Sequence, residues 1–262
     1  MSLTQVIKAE LYKISHRKSS LLLGIPLLLA FVISLGYSQG VIKLNLTVSG
    51  NGAYSCMDFV FMVWTVLSGL GIIGILLLLF ASLQFAGEIE RGQVKLMLLR
   101  VGNRSHVLLG KYLAVLLVVC MTVVGTIVVC IGSYYFLVGN SAAGDGSFFA
   151  SAAGVSALDI FASIGLQVLM YLVLAGLTFL IGVYMNPFVT FVLTMVFFYG
   201  GNYLAGSETF LAKLLPVYWS NQLILNGTAP FGQMMMSVCA AVVLAAVVLR
   251  AAMAVFQKKD IK

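Results

Sequence analysis

The sequence predicts an all-α membrane protein with six transmembrane helices, and three observations carry that expectation. Of 262 residues, 61% are hydrophobic and 9% are charged, where a soluble domain carries about 25% charged residues. The apolar residues gather in six runs, each long enough to cross a hydrocarbon core of roughly 30 Å as a helix. The basic residues fall on alternate connections: with the N-terminus inside, thirteen of the fifteen Lys and Arg face the cytoplasm and only Lys43 and Lys213 face outward. That asymmetry orients membrane proteins, so both termini are expected in the cytoplasm and the protein in the cell membrane. The net charge of +7 lies in short blocks between apolar runs and not along one face, which points to membrane lipid and away from nucleic acid.

Residues 1–262 read as a single transmembrane domain. Leu3, Val6, Ile7, Leu11 and Ile14 recur at helical spacing, with Lys8, Glu10 and Lys13 between them. This predicts an N-terminal amphipathic interfacial helix on the inner membrane surface. Spans follow at about residues 19–38, 59–83, 112–138, 159–185, 188–205 and 233–256. Pro26 is expected to kink the first. The second has the length of one tilted crossing. Asn186-Pro187 marks a tight turn between the fourth and fifth, because the residue before proline avoids the helical region. Residues 206–232 mix Phe210, Leu211 and Trp219 with Lys213, Pro216 and Asn221, too interrupted to span, and predict interfacial or re-entrant helices.

Several chemistries are excluded. Gly69-Leu70-Gly71-Ile72-Ile73-Gly74 spells a dinucleotide fingerprint, but in mid-membrane it reads as close helix packing through small residues. Gly102, Gly110 and Lys111 are too widely spaced for a phosphate-cradling loop. The histidines, His16 and His106, lie in basic segments outside the bilayer, so no His-metal site or Ser-His pair forms within it. Cys56, Cys120, Cys130 and Cys239 show no metal-binding spacing. The chain is expected to be no enzyme and to hold no cofactor of its own.

The connection between spans two and three is the most informative. Glu88 and Glu90 near its start, with Arg100 and Arg104 near its end, suit a short helix along the membrane with acids at its positive end. Such a helix either anchors the loop or docks a soluble partner through an apolar patch of Val94, Met97 and Leu98 ringed by charge.

Taken in order, the amphipathic lead, the Glu-containing segment Ala86 to Gly92, the Leu96 to Leu99 run, Arg104, Lys111 opening span three and the closing Lys-Asp pair resemble the type-two ABC transporter permeases across essentially the whole chain. The resemblance implies a permease subunit of an ATP-driven exporter. Two permease chains, identical or related, would form the pathway, and separate ABC ATPase subunits would bind ATP and Mg. Glu88, Glu90 and Arg91 map onto a cytoplasmic coupling helix and its lead-in, with Val94, Met97 and Leu98 as its contact patch. Spans two and five line the dimer interface in that family, which makes Thr65, Ser68, Thr190, Thr194 and Asn202 the pathway candidates. The compact size is similar to small bacterial permeases of antimicrobial-peptide and lantibiotic immunity, so the implied substrate is such a peptide or another amphiphile. A membrane sensor or scaffold that recruits a cytoplasmic partner without transport is the alternative.

Overall fold

A computed structural model describes residues 2–42, 54–139, 141, 144–149, 156–226 and 229–258. Every regular element among them is a helix, and six helices are long and apolar enough to cross a membrane. Lys43, Lys259 and Lys262 of the charge count lie outside the described residues.

Helix α1, Leu3–Ser15, opens on a reciprocal cap between Ser2 and Gln5. It buries Val6, Glu10 and Ile14, one stripe at four-residue spacing. An acid therefore sits in the middle of its packed face. A 3₁₀ stretch, Lys18–Gly24, leads into α2, Ile25–Ser38. Pro26 falls in the first turn of α2, where its missing N–H breaks no bond, so the expected kink is instead a change of helix type just before the proline.

The second span departs from expectation. Residues 59–83 are not one helix: α3, Cys56–Gly69, ends at Leu70, and α4, Ile72–Glu90, begins after Gly71 in the left-handed region at φ 71°. Only α4 has the length of a crossing, while α3 is a shorter apolar helix. From Cys56 to Trp64 every residue of α3 is buried, so it sits inside the bundle and not against lipid. Gly74 allows a second close approach, since a Cβ there would lie 2.6 Å from the ring of Phe198.

A short helix α5, Gln93–Val101, lies between Gly92 and Gly102, both left-handed. Helix α6 runs Arg104–Ser133 and continues through a π turn, Tyr134–Val138. It starts earlier than the sequence suggests, because Asn103 caps the amides of Ser105 and His106, and so takes Arg104 and Lys111 into the helix. Helix α7, Ala157–Gly182, is followed by α8, Pro187–Leu204, whose cap Asn186 accepts from the Val189 amide at 2.9 Å. Residues 206–232 form short helices α9, Phe210–Lys213, and α10, Pro216–Asn226, before α11, Phe231–Lys258. Ser220 of α10 meets Ser163 of α7 at 2.9 Å.

The core lies between α3, α4, α6 and α7. Phe85 stacks on Phe179 at 4.3 Å, with Phe256 and Tyr112 against the same pair. By contrast α8 and α11 leave most of their apolar surface outside the bundle, as lipid-facing helices do. Arg104 donates to the last carbonyls of α11, reaching Gln257 O at 2.9 Å, and a Cβ on Gly87 would lie 3.6 Å from Pro187. The ends of α4, α6, α8 and α11 thus meet at one pole with the basic residues of α1.

Candidate functional site

Two polar features stand out, one at the charged pole and one further along the bundle. At the pole, α1, α4 and α6 each carry an ionisable residue into the same buried point. Glu88 of α4 is 1% exposed, Lys111 of α6 2% and Glu10 of α1 4%. Lys111 Nζ bonds the Glu10 carboxylate at 2.9 Å and pairs closely with Glu88. Lys13 Nζ bridges Glu10 at 2.7 Å and Glu88 at 2.8 Å. Arg17 closes the group from the chain leaving α1, with Nη1 2.5 Å from Glu88 Oε1 and 3.0 Å from Gln84 Oε1. Glu88 Oε1 lies within ion-pair reach of Lys13 and Arg17 without an aligned hydrogen bond, so charge proximity holds it.

Burial pulls the Lys13 ammonium below its ordinary pKa, helped by repulsion from Lys111 and opposed by Glu10 and Glu88. For a base with a lowered folded pKa the sign is unfavourable: holding the proton costs stability below that pKa, and the cost is relieved as pH rises through it. Removing one member of a buried ion group leaves an uncompensated charge, which costs about 3 to 5 kcal/mol. The group therefore ties α1 to α4 and α6.

This changes the place of Glu88. The sequence reading set it out as a contact for a partner; the structure gives it Lys13, Arg17 and Lys111 of its own chain. Glu90 and Arg91, one turn on, are exposed. On α5, Val94 is turned wholly inward, while Met97 and Leu98 are partly buried against the core. The apolar side chains that α5 leaves outside are Leu96, 64% exposed, and Leu99, 78% exposed. Helical phase accounts for the difference, because the buried stripe of so short a helix is fixed by the bundle it rests on.

The second feature is a cavity of about 410 Å³ where α3 breaks from α4. Thr65 and Ser68 of α3 and Asn202 of α8 line it, together with Gln167 and Tyr171 of α7 and Glu208 after α8. Gln167 Oε1 also accepts from Trp64 Nε1 at 2.7 Å. The wall mixes neutral polar side chains with apolar surface from Phe198, Ala205 and Val217, and carries the Glu208 carboxylate as its charge. Thr190 and Thr194 are elsewhere: both are fully buried, and Thr194 Oγ1 donates to the Thr190 carbonyl at 2.9 Å while Thr190 Oγ1 contacts the Met185 carbonyl at 3.5 Å. The Thr194 hydroxyl is thus satisfied within its own helix and the Thr190 hydroxyl faces the turn before it.

The sequence reading missed Gln167, an amide in mid-span whose polarity was a visible signal. It also missed Glu10 and Lys111 as members of a site. Among the described residues no group of His, Cys, Asp or Glu is placed to hold a metal ion.

A family described as "Protein of unknown function (DUF2705)" matches residues 25–262. The chain belongs to that family. No curated protein matches it.

Proposed function

We propose that the chain is the membrane subunit of an ATP-driven exporter, a type-two ABC permease that works as a pair with separate ATPase subunits. The observation that carries this reading is the path of α4. It begins at Gly71 on the rim of the polar cavity and ends beside exposed Glu90, Arg91 and α5. One helix thus connects a ligand-sized cavity of mixed polar and apolar lining to a charged surface, which is the arrangement a transporter without its own nucleotide site needs to receive work from outside. Helix α1 would lie along the inner leaflet and α5 would act as the coupling helix, with Glu90, Arg91 and Leu99 meeting the ATPase. Thr65, Ser68 and Asn202 would touch the substrate, an amphiphile such as an antimicrobial peptide or lantibiotic.

The test is to ask whether an ATP-binding-cassette protein copurifies with the chain, reconstitute the complex, and compare wild type with Glu90→Ala/Arg91→Ala. Substrate-stimulated hydrolysis and transport should both fall while the permease itself stays folded. Copurification of a partner with no ATPase activity would instead favour the sensor or scaffold reading. Cysteines at Gly92 and Asn186 should react with impermeant reagents only from the cytoplasmic side.

A further inference from the structure

Between α1 and α5 lies a cleft of about 490 Å³. Its polar wall carries Lys13, Arg17 and Arg100, and its apolar wall includes Leu96, Met97 and Val101. Glu10 also lines it, but that carboxylate already accepts from Lys13 and Lys111. The buried ion group behind the cleft holds three cations, Lys13, Arg17 and Lys111, against two carboxylates, Glu10 and Glu88. Arg100 adds a further positive charge at the mouth and forms no ion pair among the described residues.

An unbalanced cation in a partly desolvated place is costly, and a bound anion removes the imbalance. Arginine beside lysine suits a phosphate, which takes both forked and point-charge donors. The apolar residues along the same cleft offer a seat for something greasy attached to that phosphate. We propose that the cleft between α1 and α5 binds an anionic phosphate group, supplied by the headgroup of an anionic membrane lipid.

The position agrees with this source. The cleft is at the pole where the basic residues gather, at the foot of helices that cross the membrane. A basic interfacial helix beside a short amphipathic one is also the setting in which anionic headgroups are held. The bound phosphate would offset the repulsion between Lys13 and Lys111, so it would stabilise the docking of α1. The proposal does not depend on export, since its readout is lipid retention.

The experiment is native mass spectrometry of the full chain released from bilayers of equal phosphatidylglycerol and phosphatidylcholine. Wild type should keep phosphatidylglycerol preferentially. Arg100→Gln should reduce that retention about fivefold, the equivalent of the roughly 1 kcal/mol that one basic residue contributes at an anionic surface. Arg100 is exposed, so the variant should fold. Lys95→Gln, an exposed change on the same helix that does not line the cleft, should leave retention unchanged. Millimolar inorganic phosphate distinguishes the sources: persistence of the lipid supports the headgroup, whereas displacement with a phosphate adduct assigns the site to free phosphate and overturns the lipid source. Equal retention of both lipids, or equal effects of the two variants, overturns the proposal.

Discussion

The two ends of α4 are held by opposite means. At the charged pole, Glu88 is fixed by three cations from α1, the chain after it and α6. At the other end the helix begins at a left-handed glycine, and its first turns are held by the close fit of Gly71 and Gly74 against Phe198 and its neighbours. Charge pairing is strong when complete and severe when broken; glycine geometry is weaker and graded. The difference teaches that one end of the helix is anchored by charge and the other by steric fit beside the cavity.

The sharpest way to break this contrast is at Lys111. Lys111→Met leaves Glu10 and Glu88 facing each other with less positive charge between them, and should lower stability by about 3 to 5 kcal/mol. The expected result is a large loss of monodisperse protein in detergent. Adding Glu88→Gln to the same variant should recover part of it, because the carboxylate that lost its buried lysine is then neutral; an unchanged yield in the single variant would show that the ion group anchors nothing.

A smaller effect is expected at the opposite end. Gly71→Ala places a side chain at φ 71° and 3.2 Å from Phe198 and Tyr199, which should cost about 1 to 2 kcal/mol. Its thermal midpoint in detergent should fall less than that of Lys111→Met. A loss as large would remove the distinction between the ends.

Smaller again is Arg104→Gln. The guanidinium donates to the final carbonyls of α11 at the favourable end of the helix dipole, a contact worth about 0.3 to 1 kcal/mol. Hydrogen exchange should quicken in the last turn of α11 and nowhere else. Least of all, Glu90→Ala should leave stability within about 0.5 kcal/mol of wild type, in contrast to Glu88→Ala two residues earlier. Comparable losses for the two would mean that exposure does not separate their roles.

Local signals explain most of what the sequence made legible. The apolar runs, the Asn186-Pro187 boundary and the helical period of α1 each depend on neighbours within a few residues, and composition reports these directly. The break in the second span was hidden because residues 59–83 have the length of one tilted helix, and a left-handed glycine looks in sequence like any packing glycine. The cavity was half legible: hydroxyls and amides on α3 and α8 were visible, but periodicity alone could not separate Thr65 from Thr190. The ion group was illegible for a different reason. Glu10 and Lys111 are 101 residues apart, and nothing in either segment announces the other. Charged residues at span ends have an easy explanation in water, so Glu88 looked available to a partner.

The buried position of Lys111 also sets an order of events during synthesis. Glu10 is made before Glu88, and Lys111 of α6, the most deeply buried of the cations that pair with them, is made after both. Before α6 is made, Glu10 and Glu88 have only the partly exposed Lys13 and Arg17 as partners. Arrival of Lys111 then completes the group, joining α1 to a helix made about a hundred residues later. Completion of the charged pole is thereby made contingent on α6.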